Sequence, residues 1–291
     1  MLGHKMFQTL SSRFPGVKAT IRGSLEDPFY RDIPLFEPSR ILERIDVMDL
    51  IALRQTLSVE RPEVLVNCVG IVKQRSEGKM AVPSITVNSL LPHLLADWVS
   101  GWGGRLIHFS TDCVFSGRKG NYSEDDRADA EDLYGKSKFL GEVAQSAQAL
   151  TLRTSIIGRE LSHFQSLLEW FLAQRGGRIR GFRRVIYSGV TTNYLSELVV
   201  RVIMECPKLA GLFQVTAPAI SKYDLLCRLR SAFGLDIEIV PDDDEVSDRS
   251  MVGERFRRAT GIAEPEWPSM IGGLIDDPTP YGCWRKENNC V

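Results

Sequence analysis

A chain of 291 residues with 43% hydrophobic and 25% charged side chains has the make-up of an ordinary soluble globular protein, long enough to bury one large core or two smaller ones. Its formal net charge of −1 gives no electrostatic case for nucleic acid or an anionic membrane as partner. No apolar run is long enough to span a bilayer, Arg13 and Lys18 interrupt what a signal peptide would need, and six cysteines without a CxxC pair fit reduced thiols in a cytoplasmic protein better than a disulfide framework or zinc site.

In chain order, MLGHKMFQTL places Leu2, Met6 and Leu10 on one helical face, with Phe7 widening the stripe. No apolar strand comes before it, so the opening reads as the second half of a strand–glycine-loop–helix unit. Residues 17–21 are β-prone and close on Arg22-Gly23. Residues 27–38 read as a Pro- and aromatic-rich loop, and 41–45 as a short strand ending at Asp46-Val47. Asp49 is placed to cap a helix carrying Leu50, Leu53 and Leu57, which Pro62 stops. Residues 64–70 form a continuous apolar run, expected of a strand buried on both faces. A helix over 84–99, a strand over 105–110, a helix over 134–148 and a strand over 150–157 follow. Later segments read as helix (193–202), strand (212–216), helix (223–233) and strand (237–240), with 242–245 a solvated acidic loop and the tail from Asp276 turn-rich and disordered. Strands alternating with amphipathic helices imply an α/β doubly wound parallel sheet, whose ligands bind beyond the carboxyl ends of the strands. Asn67, Ser110, Thr111 and Thr154 occupy those ends.

The block from His108 to Glu142 carries the chemistry. Tyr134 and Lys138 stand one helical turn apart on one face. A nearby ammonium favours phenolate and lowers a tyrosine pKa towards working pH, as a general acid/base for carbonyl–alcohol chemistry requires. Read alone, the pair also suits a helix-start tyrosine beside a solvated lysine. Ser110-Thr111 directly after a buried strand offers a hydroxyl to a substrate carbonyl, or equally a helix cap or Ser/Thr turn.

Together these residues resemble the extended short-chain dehydrogenase/reductases, and within them the dTDP-4-dehydrorhamnose reductase group. The resemblance rests on residues 110–117 (STDCVFSG), Tyr122 with Glu124-Asp125-Asp126, Tyr134-Gly-Lys-Ser-Lys138 with Gly141-Glu142, residues 61–64 leading to Asn67, Val87-Asn88, and residues 152–155 with Gly158. Asp248-Arg249-Ser250 and Arg255-Phe256 fit more loosely. The resemblance implies a Rossmann-type domain over 1–158 and a mainly substrate-binding part over 159–291, with segments near 190–216 returning to the first domain. It makes Tyr134 the proton donor, gives Lys138 the cofactor ribose and the task of lowering the Tyr134 pKa, and has Thr111 orient the reacting carbonyl. Gly3, Asp46, Val47, Cys68, Val69, Gly70, Ser110 and Thr154 line the cofactor, with Arg153 beside the nicotinamide. Val114, Phe115, Arg183 and Arg249 fall to the substrate. Cys113 departs from the aromatic residue common at that position.

Gly3 matches the last glycine of the family's Gly-x-x-Gly-x-x-Gly turn. The first strand and two glycines have no counterpart, and the reading favours a start placed too far downstream, or a truncated record, over a chain that cannot hold its cofactor normally. Arg22 follows the second strand, where a basic group pairs with a 2′-phosphate, so NADP(H) is expected over NAD(H). Arg178, Arg180, Arg183 and Arg184 make a basic cluster suited to a nucleotide diphosphate or to solvent. No metal spacing is present among the histidines. The expected function is NADPH-dependent reduction of a nucleotide-linked 4-keto-6-deoxysugar for cell-surface polysaccharide, in a cytoplasmic protein with a homodimer as candidate assembly. The rivals are a nucleotide-sugar epimerase or dehydratase, and a non-catalytic sugar-nucleotide-binding subunit.

Overall fold

The computed structural model describes residues 1–73 and 76–285. α1 (Leu2–Arg13) buries Leu2, Met6, Phe7 and Leu10, as their spacing requires. β1 (Ala19–Thr20) and β2 (Ile41–Leu42) pair in parallel, and the loop between them folds over Phe7, Ile21 and Ile41. α2 (Leu50–Glu60) starts where the Asp49 carboxylate accepts the Ala52 N–H at 3.0 Å, and ends where Arg61 turns left-handed ahead of Pro62. β3 (Val64–Asn67) leads to one long helical stretch: α3 (Ala81–Ile85), a π-helical turn (Thr86–Leu90) and α4 (Leu91–Ser100). Next come β4 (Arg105–Ser110), α5 (Leu133–Leu140), β5 (Ala149–Arg153), β6 (Ile156–Ile157) and α6 (Leu167–Leu172). β7 (Arg178–Phe182), β8 (Val185–Tyr187), β9 (Val190–Thr191) and α7 (Thr192–Glu205) precede β10 (Gly211–Gln214), β11 (Ile220–Ser221) and α8 (Lys222–Ala232). The chain closes with β12 (Glu238–Asp242), β13 (Ser247–Asp248), α9 (Glu254–Thr260), α10 (Trp267–Ile275) and α11 (Tyr281–Trp284).

The main sheet is parallel, in the order β10-β5-β4-β3. Side-chain alternation along its strands divides the core. Ile107, Phe109, Leu150 and Leu152 face a cluster that holds Leu2, Met6, Leu195 and Val199, while Leu106 and Ala149 face Leu53, Leu57, Leu91 and Leu95. A layer of helices on each face is the doubly wound α/β arrangement expected. A second set of sheets, β12-β7 and β11-β8-β13, carries the later residues.

Three expectations change. The run 64–70 is strand only to Asn67, and Val64, Leu65 and Val66 are half-buried. β3 ends the four-stranded sheet, and β1-β2 form a separate sheet that shares no ladder with it, so among the described residues one flank of β3 lacks a strand neighbour. The helix expected over 134–148 stops at Leu140. A Cβ on Gly141 would collide with the Asn88 carbonyl, so the chain passes close under the π-helical turn there and leaves the helix. The tail from Asp276 is ordered as far as Arg285: Asp277 pairs with Lys5 at 2.7 Å and Tyr281 is buried against Ile33 and Leu161. Cys290 lies outside the described residues.

In a parallel strand, alternate residues direct both backbone groups to opposite neighbours. Amide hydrogen exchange should therefore show β4 and β5 protected throughout, and alternate β3 amides exchanging orders of magnitude faster. Uniform protection along β3 would contradict the open flank.

Candidate active site

The buried strand β4 delivers Ser110 and Thr111 to the carboxyl edge of the sheet. Thr111 leaves the strand in extended backbone, accepts the Cys113 N–H at 3.1 Å, and starts a single turn, Asp112–Val114. Its hydroxyl donates to Asp112 Oδ1 at 3.0 Å. α5 begins where the Asp132 carboxylate accepts the Gly135 N–H at 2.8 Å, which sets Tyr134 in the first turn and Lys138 one turn on. A Cβ on Gly135 would collide with the Cys113 carbonyl, so α5 rests directly on the Cys113 backbone. That contact sets the Tyr134 phenol near enough to Thr111 and Asp112 for both to act on its titration.

The electrostatics differ from expectation. Burial pushes the Tyr134 phenol well above its ordinary range; the Cys113 thiol and the Asp112 carboxylate push the same way, and the Thr111 hydroxyl acts against them. Lys138 is not among the principal influences on it. Its ammonium, buried, donates to the Phe109 carbonyl at 2.7 Å and stands 3.5 Å from His108 Nε2. Burial brings the Lys138 pKa down to about 8, with the Glu142 carboxylate opposing. His108 Nδ1 in turn meets the Asn67 amide at 3.1 Å, and burial with the Lys138 charge holds the imidazole neutral. Burial beside Asp112 pushes the Cys113 thiol up to about 12, which excludes a thiolate nucleophile.

Several sequence-expected residues are committed elsewhere. Ser110 donates to Glu142 Oε1 at 2.6 Å, and Glu142 forms a fork with Arg153 at 2.9 and 2.7 Å, the two side chains 4% and 2% exposed. Arg153 therefore sits beneath the site, its guanidinium 4.9 Å from the Phe115 ring centre. Val114 and Phe115 do not offer a substrate surface: both are fully buried, with Phe115 stacked on Tyr122 at 4.1 Å, because the turn after Thr111 points them into the small core around Met251. Arg183 is turned to the Asp243 carboxylate, 2.9 Å from Nε, and Arg180 to Asp242 and Asp244, so the acidic run is the partner of the basic cluster. Arg249 donates to the Phe115 carbonyl at 2.9 Å and stands near enough to Cys113 to act on its charge. Thr154 is buried, its N–H on the Ser110 carbonyl at 3.3 Å.

The other expected residues gather along the edge of β3. Among the described residues, a Cβ on Gly3 would have as its near neighbour only the Cys68 side chain, at 3.8 Å, and one on Gly70 only the Asn88 oxygen, at 3.5 Å. α1 has no side-chain cap, so its first-turn amides are not taken by a side chain. Arg22, with its side chain 79% exposed, lies 3.3 Å from Asp46, and Val47 follows. A glycine at a helix start without a side-chain cap suits a pyrophosphate, and an exposed arginine just after β1 suits a 2′-phosphate. Gly3, Cys68, Val69 and Gly70 would hold the middle of a dinucleotide, Arg22, Asp46 and Val47 its adenosine end, and Tyr134, Lys138 and Thr154 its nicotinamide end.

His108, Asn67, Glu142 and Tyr187 complete the site. Asn67 was visible as the polar end of an apolar run, and Glu142 as a neighbour of Gly141. His108 and Tyr187 left no separate signal. Among the described residues no group of three or more His, Cys, Asp and Glu side chains could hold a metal ion, and no helix is long and apolar enough to cross a membrane.

The family described as "RmlD substrate binding domain" matches residues 2–237. The spore coat polysaccharide biosynthesis protein SpsK of Bacillus subtilis is 27% identical over 80% of this chain and 86% of its own length. The methionine adenosyltransferase 2 subunit beta of Danio rerio is 27% identical over 66% of this chain and 62% of its own. A solved dTDP-4-dehydrorhamnose reductase from Bacillus anthracis, in complex with NADP, superposes with a TM-score of 0.73 at 19% identity, covering 90% of this chain and 99% of that one.

Removing one partner of a buried pair leaves the other charged and uncompensated. Glu142→Ala should cost about 3–5 kcal/mol in chemical denaturation, and a loss under 1 kcal/mol would show the pair to be replaceable. Lys138 carries a pKa depressed below its unfolded value, so the unfolded chain binds more protons between the two values and stability rises with pH there. The stability of Lys138→Met relative to the parent should be greatest below pH 8 and should decline towards pH 10. A difference that is flat across that range would contradict the buried ammonium.

Proposed function

Because the chain belongs to the RmlD substrate binding domain family, we propose that it is an NADPH-dependent reductase of a nucleotide-linked 4-keto-6-deoxysugar. The observation that carries this reading is the set of Thr111 at the carboxyl edge of β4, Tyr134 in the first turn of α5 with its phenol under the influence of Thr111, and Lys138 one turn on, buried with its ammonium on the Phe109 carbonyl. The nicotinamide, when bound, supplies the hydride. Thr111 holds the reacting carbonyl by hydrogen bonding. Tyr134, kept protonated by burial, gives its proton to the oxygen as negative charge develops there. Lys138 binds the ribose, and Arg22 selects the 2′-phosphate. A role in making a cell-surface polysaccharide, in the cytoplasm, accords with the relative named for spore coat polysaccharide biosynthesis.

A second reading, a sugar-nucleotide-binding subunit without turnover, is favoured by the relative named as a subunit of methionine adenosyltransferase. Turnover separates the two.

With NADPH and a dTDP-4-keto-6-deoxysugar, followed by absorbance, Tyr134→Phe should lower turnover by about a hundredfold or more while leaving NADPH binding intact. Near-normal turnover would remove Tyr134 from this role. Arg22→Ala should weaken NADPH by about tenfold and NADH hardly at all. An equal effect on both would leave Arg22 a surface residue.

A further inference from the structure

Asn67, His108 and Thr151 stand level with one another across β3, β4 and β5. Thr151 is committed to the Val143 backbone, whose N–H it accepts and whose carbonyl it donates to, both at 3.1 Å. His108 turns one ring nitrogen to Asn67 and the other to Lys138: Nδ1 lies 3.1 Å from the Asn67 amide nitrogen and Nε2 3.5 Å from Lys138 Nζ. The ring is buried, and no step of the reaction above uses it.

The direction of these bonds is fixed from one end. The Val69 N–H donates to Asn67 Oδ1 at 3.1 Å, which leaves the Asn67 amide nitrogen, a donor only, facing His108 Nδ1. Nδ1 is then the bare nitrogen, and the neutral imidazole carries its proton on Nε2. The opposite tautomer needs the Asn67 amide turned over, which sets two donors against each other at Val69. Nε2–H therefore points at Lys138. An ammonium there has donors only and meets a donor with a donor, whereas an amine has a lone pair and accepts. The 3.5 Å separation is long for a hydrogen bond, as two opposed donors require, while Nζ reaches the Phe109 carbonyl at 2.7 Å. With Lys138 as the amine, one chain of bonds runs unbroken from the Val69 N–H through Asn67, His108 and Lys138 to the Phe109 carbonyl.

We infer that His108, oriented by Asn67, is a positioning residue of the reacting end: it meets Lys138 with an N–H and so keeps that lysine poised between an ammonium that holds the cofactor ribose and an amine that completes the buried chain. The ribose half rests on the reductase reading above; the polarity of the chain does not. The surrounding charges permit both forms. Burial favours the amine and brings the Lys138 pKa down to about 8. Glu142, at the exit of α5, favours the ammonium, but its oxygens are engaged by Ser110 and Arg153. His93 of α4 bears on His108 and, with Lys138, keeps it from taking a second proton. The other elements packed on α5 bring Asp112, which acts on Tyr134, and Glu77 and Lys79 of the 76–79 turn; α3 and the π-helical turn bring no charged residue.

The test is NMR of the whole chain without cofactor, with 15N in the histidine rings and 13C at lysine Cε, the Lys138 signal assigned by its loss in Lys138→Met. In the parent, His108 should carry its proton on Nε2 with Nδ1 bare. His108→Ala removes the N–H and leaves room for a water that accepts from the ammonium. Asn67→Asp offers Nδ1 a carboxylate and so moves the proton off Nε2. Each should raise the Lys138 midpoint by at least about one pH unit, a tenfold gain in proton affinity. His108→Gln, which carries an acceptor and a donor in the same sense, should keep the parent midpoint. A parent His108 with its proton on Nδ1 overturns the inference, and this needs no variant to fold. So does a midpoint that neither His108→Ala nor Asn67→Asp moves. NADPH titration from neutral pH to about pH 10 then tests the ribose half: affinity should fall as Lys138 loses its charge, and the fall should move up with the midpoint in His108→Ala. An affinity that ignores the midpoint overturns the ribose half, and with it the role given to Lys138 above, while the chain polarity stands. No NADPH binding at any pH brings down the reductase reading and the ribose half together, and the tautomer still decides the chain.

Discussion

The fork between Glu142 and Arg153 is the interaction on which the site depends. It joins three pieces of chain that have no covalent reason to meet: the end of β4 through Ser110, the exit of α5 through Glu142, and the end of β5 through Arg153. Arg153 then supports the Phe115 ring, and with it the turn that carries Asp112 and Cys113. Two charges taken this far out of water gain little over apolar neighbours of the same shape, but breaking the pair is expensive, so it acts as a rigid tie. Fixing it fixes where Thr111 leaves the sheet and where α5 begins.

From that tie follows a tightly packed floor to the site. Gly135 lets α5 lie on the Cys113 backbone and Gly141 lets it pass under the Asn88 carbonyl, so Tyr134 and Lys138 are drawn inwards together. Burial then dominates the electrostatics and acts on the two in opposite senses, raising the phenol and lowering the ammonium. A phenol that keeps its proton is suited to giving one up to a carbonyl oxygen that is gaining charge. The lysine beneath it is held by a backbone carbonyl and by the Asn67–His108 contact, and so serves as a fixed floor to the site.

What the sequence disclosed follows from how local each determinant is. β4 was read to the residue because six successive residues between two turns carry their own burial pattern, and α2 because its Asp49 cap and Pro62 stop are local. Tyr134 and Lys138 fall one turn apart on α5, and Thr111 directly follows β4, as the spacing and the end of the apolar run suggested. The length of α5 was misjudged because its end is set by Asn88, some fifty positions away. Val114 and Phe115 looked like substrate contacts because a motif does not state which way a turn faces. Arg183 looked free because its partner, Asp243, reads as an ordinary solvated loop residue until β7 and β12 are paired.

The central claim is that this site reduces a sugar carbonyl. The most direct measurement is to incubate the chain with NADPH deuterated at the transferable position and a nucleotide-linked 4-keto-6-deoxysugar, and to determine the mass of the sugar product. The account predicts one deuterium per product, bound to the former carbonyl carbon. A nucleotide sugar that binds and is recovered without deuterium would contradict it.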